Sequence, residues 1–143
     1  MSYFKLRDLK FSIQSAQITG NVENGILNCY IDVEMNPIIK DEESWPPSLC
    51  HQGLTLPVNS WEELTGQKIE YESAYVGEYC HPEIGMLYVF GHEETRSNII
   101  EFGEIENGEI HCKWEGINNI YWDEEFGNDV PFKLDCKLKI KDA

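Results

Sequence analysis

The feature that most constrains the fold is a phrase that occurs twice with Asn-Gly at its centre. Residues 22–29 read VENGILNC and residues 105–112 read IENGEIHC. Asn and Gly both tolerate the positive φ angles that a two-residue hairpin turn requires, and strand-like residues flank them in both copies. The phrase therefore predicts two β-hairpins, which turn at Asn24-Gly25 and at Asn107-Gly108.

Two stretches alternate strictly between apolar and polar side chains. Residues 26–35 place Leu, Cys, Ile, Val and Met on one side, and residues 132–140 do the same with Phe, Leu, Cys, Leu and Ile. A period of two predicts strands with one buried and one wet face. Four lysines lie on the outer face of the last stretch, which is typical of an edge strand protected from aggregation. Those lysines are Lys133, Lys137, Lys139 and Lys141.

The segments between these stretches carry helix and loop signals that complete the predicted architecture. Ser60-Trp61-Glu62-Glu63 has the pattern of a capping box and predicts a short helix that Gly66 ends. Residues 36–53, with three prolines, and residues 118–131 are predicted to be long loops. About eight strands and one short helix indicate an all-β fold, an antiparallel sandwich or a partly closed barrel built from hairpins. The length of 143 residues predicts one domain over residues 1–143.

Charge and composition exclude several classes of function. The net charge of −15 disfavours direct binding to nucleic acid, because phosphate contacts require Lys and Arg. The chain has no long apolar run, and its first residues lack a secretory signal, so we expect a cytoplasmic protein without a membrane span. Five scattered cysteines favour free thiols in a reducing compartment over a disulfide framework.

The acidic residues are concentrated in one part of the chain. The stretch from Glu93 to Asp129 holds eleven Asp or Glu against Arg96 and Lys113 alone. Such a surface steers a basic partner towards it, although acidity also serves solubility. Within the stretch, aromatic anchors stand beside carboxylates, which favours an interaction loop. The alternative is that Trp122 and Phe126 only plug the end of the barrel. The predicted partner-binding residues are Tyr121, Trp122, Asp123, Glu124, Glu125 and Asp129.

No constellation predicts catalysis, a metal ion or a cofactor. The candidate zinc ligands form adjacent Cys-His pairs rather than the close spacing of structural zinc sites. They are Cys50, His51, Cys80, His81, His92, His111 and Cys112. Asp123, Glu125 and Asp129 do not match a calcium loop, and there is no nucleophile elbow or glycine-rich phosphate loop. The sequence thus predicts a protein that is not an enzyme.

Two phrases carry a resemblance to a known group of proteins. They are Ser60-Trp61-Glu62-Glu63-Leu64-x-Gly66, and residues 102–116, which read FGEIENGEIHCKWEG. With the acidic β-rich composition, they make the chain look like the small cytoplasmic immunity proteins of bacterial polymorphic and contact-dependent toxin systems. The resemblance implies a monomer or dimer that binds one cognate toxin with a basic surface, often a nuclease, and occludes its active site.

Two other classes of function remain open from the sequence. One is a carbohydrate- or small-ligand-binding β-domain that stacks its ligand on Trp114, Tyr121 and Trp122. The other is a structural component of a phage or secretion assembly, in which exposed strands pair between subunits.

Overall fold

The computed structural model describes residues 2–40, 42–71, 85–88, 92–120 and 127–142. In these ranges the chain is all-β with one short 3-10 helix, η1 (Trp61–Leu64), which confirms the predicted class. The strands before η1 are β1 (Tyr3–Leu6), β2 (Leu9–Phe11), β3 (Ile13–Glu23), β4 (Ile26–Met35), β5 (Ile38–Lys40), β6 (Glu43–Trp45) and β7 (Ser48–Leu56). Those after it are β8 (Lys68–Tyr71), β9 (Gly85–Tyr88), β10 (His92–Glu94), β11 (Arg96–Glu106), β12 (Glu109–Ile120) and β13 (Gly127–Asp142).

Both predicted hairpins are present and turn at the predicted residues. Asn24 and Gly25 have φ angles of 55° and 77°, and Asn107 and Gly108 have φ angles of 55° and 76°. Positive φ at both central residues gives the turn the twist that matches its flanking strands. The turns join β3 to β4 and β11 to β12.

The main sheet runs in the order β10-β9-β7-β4-β3-β13-β12-β11-β8, and β1 with β2 branches from β13. Among the described strands one pairing departs from the predicted antiparallel pattern, because β13 runs parallel to β3. The long strand β13 also corrects the expectation of an edge strand. It pairs with β12 along one side and with β1 and then β3 along the other. Alternation reveals which side of a strand is wet but not how many neighbours it has.

The sheet coils around one apolar core. Strands β4 and β13 each bury every second side chain, and these side chains join a single cluster. The rings of His51 on β7 and Trp114 on β12 have centroids 6.0 Å apart. In a flat sheet the four strand spacings between β7 and β12 would hold them about 19 Å apart. The sheet therefore folds over on itself, and its outer face carries the polar side chains.

The short helix forms where predicted, but its cap differs from a capping box. Ser60 makes no side-chain capping bond, and its carbonyl accepts from the Glu63 amide at 3.2 Å. The Glu63 carboxylate accepts instead from the Asn59 amide at 3.3 Å. Gly66, with a φ of 88°, follows the helix as expected.

In the described residues, the two predicted loops contain strands. Residues 36–53 contain the β5–β6 hairpin and most of β7, and residues 118–131 contain the end of β12 and the start of β13. Pro131 lies within β13 without weakening its pairing with β12. Its carbonyl accepts from the Arg7 amide, in the turn after β1, on the side away from β12. The amide and carbonyl of one strand residue point to the same side, so the missing donor removes no bond to β12.

Candidate functional site

The predicted interaction loop connects the two longest strands that the structure describes. Strand β12 ends at Ile120 and β13 begins at Gly127, and these two residues are paired. Tyr121, Trp122, Asp123, Glu124 and Glu125 lie outside the described residues, so the prediction for them stays a prediction. The predicted loop is therefore joined at both ends to a paired β-ladder, which is how binding loops are commonly positioned.

Asp129 is the one predicted partner-binding residue within the described part of the chain. Its side chain is 74% exposed, and it forms an ion pair with Arg96 of β11. Its φ of 57° turns the backbone at the start of β13. An exposed pair of this kind contributes little to stability, so breaking the Arg96–Asp129 pair costs little.

The described acidic residues between Glu93 and Asp129 are spread along β12 rather than gathered at one end. Glu104, Glu106 and Glu109 lie beside the Asn107-Gly108 turn, at one end of β12. Asp129 lies at the other end, and twelve residues of strand separate the two ends by about 36 Å. A standard interface of about 800 Å² per partner is about 32 Å across, so a single interface reaches one end only.

The candidate metal ligands are distributed between the two faces of the sheet. His51 and Cys112 are buried, whereas Cys50 and His111 lie on the outer side. Cys80 and His81 lie outside the described residues. Within the described part of the chain, no three His, Cys, Asp or Glu side chains come together as a metal site.

His51 has the environment of a core residue. It is fully buried, and burial lowers its pKa from 6.5 to about 4. Its Nδ1 accepts from the Gly53 amide at 3.3 Å, and its ring packs against Trp114. The imidazole is therefore neutral at physiological pH, and it contributes packing rather than charge.

The buried thiols are poor nucleophiles. Cys29, Cys112 and Cys136 are buried free thiols, as the cysteine count predicts, whereas Cys80 lies outside the described residues. Burial raises the pKa of Cys29 and of Cys136 to about 12, and burial together with the nearby Cys136 and Asp135 raises that of Cys112. Because the thiolate is the reactive form, the buried cysteines act as apolar side chains.

The outer face holds a histidine–carboxylate pair. His111 Nε2 lies 2.7 Å from Asp135 Oδ1. A triad requires a nucleophile on the same side, but the neighbouring Cys112 and Cys136 point into the core. The pair therefore links β12 to β13 and does not form a triad with these thiols.

The burial of Trp114 contradicts its predicted role in a carbohydrate-stacking surface. Its side chain is 0% exposed, and its Nε1 donates to Asn98 Oδ1 at 2.9 Å. A stacking platform needs an exposed ring, so Trp114 is not part of a carbohydrate-binding surface. The other two residues of that platform, Tyr121 and Trp122, lie outside the described residues.

Comparison with known proteins identifies no similar protein. Searches against protein-family models, curated proteins and solved structures find no match to the chain. In the described residues no helix is long and apolar enough to cross a membrane.

Proposed function

We propose that the protein is a binding protein that neutralises a cognate toxin, a nuclease with a basic cleft, by occluding its active site. The contact surface is the β12–β13 connection, residues 121–126, together with Asp129. The protein acts by binding and carries out no reaction of its own.

The observation that supports this proposal is the position of the connection. Its sequence, YWDEEF, combines three aromatic side chains with three carboxylates. It joins the two longest strands that the structure describes, whose ends are paired at Ile120 and Gly127. Rigid support lowers the entropic cost of ordering a loop on binding, and this cost otherwise weakens the complex.

Electrostatics supports the same choice of partner. A nuclease cleft carries cations that hold phosphate, and a −15 protein with exposed carboxylates presents the complementary field. Long-range attraction raises the association rate, whereas buried aromatic anchors mainly slow dissociation. The acidic connection therefore supplies both properties in six residues.

Two matched charge reversals test the proposal. The first variant carries Asp123→Lys, Glu124→Lys and Glu125→Lys. The control carries Glu104→Lys, Glu106→Lys and Glu109→Lys, the same change of charge at the far end of β12. Each is used as bait for proteins from the native host, and association and dissociation rates with the captured partner are measured.

The first variant should lose the basic partner, with association slowed about tenfold or more at low salt. The control should bind within about threefold of the unmodified protein, because its changes lie about 36 Å from the proposed contact. Equal effects of both variants would show that only net charge matters. An unchanged affinity and association rate in the first variant would remove residues 121–126 from the interface.

A further inference from the structure

A second surface carries the opposite charge. On the outer face of β1, β11, β12 and β13 lies an open groove of about 410 Å³. Its cations are Lys5, Arg7 and Lys133, with Glu115 as its carboxylate. We infer that this groove is a docking site for a carboxylate-bearing apolar peptide segment of a protein partner.

The clearest sign is a pair of like charges placed directly opposite each other. Lys5 of β1 faces Lys133 of β13 in the antiparallel register. Like charges at such positions destabilise a sheet. Neither lysine has a carboxylate within ion-pair distance in the described part of the chain, although Glu115 is the partner of Lys133 on its other side. The sheet thus keeps an unfavourable arrangement that a bound anion would relieve.

Edge protection does not explain these cations. Lysines on a sheet edge prevent unwanted strand pairing, but β13 has neighbours on both sides. Net charge does not explain them either, because the chain holds 26 acidic and 11 basic residues. The placement of Lys5 opposite Lys133 at the edge of one groove therefore points to recognition of an anion.

The lining selects the kind of anion. Ile99, Ile117 and Pro131 give the groove an apolar component. A second hollow of about 180 Å³ adjoins it, sharing Glu115 and Lys133. An open trough across several strands suits an extended peptide, since small-molecule sites enclose most of their ligand.

The charge pattern disfavours a nucleic acid as the occupant. A continuous polyphosphate would meet Glu115 within the groove and Glu101 in the adjoining hollow. It would also approach a protein of net charge −15. A peptide with one or two carboxylates between apolar residues carries fewer charges, so it meets the cations with smaller penalties of both kinds. The inference holds for any protein partner and does not depend on toxin neutralisation.

The test uses the isotopically labelled protein and two capped peptides, acetyl-LEIDL-amide and its uncharged counterpart acetyl-LQINL-amide. Titration of the acidic peptide should shift the amide resonances of residues 5–7, 115–117 and 133 to saturation below about 5 mM. The uncharged peptide should bind about tenfold more weakly, because each charge-assisted hydrogen bond is stronger than its neutral equivalent.

A matched pair of variants locates the site. Lys5→Gln with Lys133→Gln should weaken the acidic peptide about tenfold or more and should raise the melting temperature by removing the like-charge pair. Lys137→Gln with Lys139→Gln removes the same charge from the same face and should leave peptide affinity unchanged.

Four results would overturn the inference. They are absence of saturable shifts, equal binding of both peptides, the same shifts with inorganic phosphate, and tighter binding of a short single-stranded DNA. A lower melting temperature in the Lys5→Gln, Lys133→Gln variant would also contradict it, since the cations would then serve the sheet.

Discussion

Replacing Gly20 by Ala is predicted to disrupt the pairing of β3 with β4. Gly20 lies on β3, where it faces Cys29 of β4 on one side and Asp142 of β13 on the other. A Cβ atom at this position would overlap the Asn28 carbonyl oxygen and lie 2.6 Å from Cys29 Cβ and 2.8 Å from Cys29 Cα. The clash therefore involves the backbone of the neighbouring strand.

The loss of stability in Gly20→Ala depends on which of the clashing atoms can move. An extra methyl group in a packed site typically costs about 1–3 kcal/mol, and flexible side chains account for the lower values. Here the nearest atoms belong to the β4 backbone, so relief requires β3 and β4 to separate. We expect a loss of about 3 kcal/mol or more, which lowers the melting temperature by about 10 °C in a domain of this size.

Thermal and urea unfolding followed by circular dichroism measure this loss. Gly103→Ala is the control, because its Cβ would lie 3.1 Å from His111 Cβ and from His111 Nδ1, contacts that a shift of a few tenths of an ångström relieves. We expect the control to lose less than about 1 kcal/mol. If Gly20→Ala and Gly103→Ala unfold at the same temperature, the close approach of β3 to β4 is wrong.

Two further predictions concern the buried polar side chains. Asn98→Ala should cost about 1–3 kcal/mol in urea unfolding, because the buried Trp114 Nε1 loses its acceptor, whereas Asn28→Ala, at an exposed hydrogen bond, should cost less than about 0.5 kcal/mol. His51 takes up a proton near pH 6.5 when unfolded but near pH 4 when folded, so its contribution is full above pH 6.5 and is lost as the pH falls towards 4. We expect the loss to reach about 3 kcal/mol across that window, and an unchanged pH dependence of unfolding in His51→Gln would contradict the assignment.

Local chemistry made the hairpins and the wet faces predictable. The two hairpin turns require positive φ at both central residues, which few dipeptides other than Asn-Gly adopt. The sequence alone therefore predicts the turns at Asn24-Gly25 and Asn107-Gly108. The alternation in residues 26–35 likewise predicted which side chains are buried. Both patterns depend only on residues that are close in sequence, so they predict local structure without knowledge of the tertiary fold.

Neighbours in space were not predictable from the same signals. The parallel pairing of residues 139–142 of β13 with residues 17–20 of β3 joins segments more than a hundred residues apart. Prolines in residues 36–53 indicated a loop, but Pro46 and Pro47 lie between β6 and β7 rather than inside a strand. Strand pairing fixes such arrangements, and no local pattern encodes it.

Of the two candidate surfaces, one could be predicted from the sequence and the other could not. Residues 121–126 stood out because aromatic and acidic residues are contiguous in the sequence. The basic groove combines Lys5 with Lys133, which come together only when β1 pairs with β13. The pattern of lysines in β13 predicts an edge strand, whereas that strand has neighbours on both sides.

The two proposed surfaces meet along the chain, which has a consequence for the partner. Asp129 marks the end of the acidic connection, and Pro131 of the basic groove is only two residues further along β13. A partner that covers both would have to present cations to residues 121–129 and a carboxylate to Lys5 and Lys133. Charge complementarity of mixed sign distinguishes partners better than a uniform field, since a merely basic protein would repel the groove. Net acidity would then speed the encounter, and the basic groove would select which basic protein stays bound.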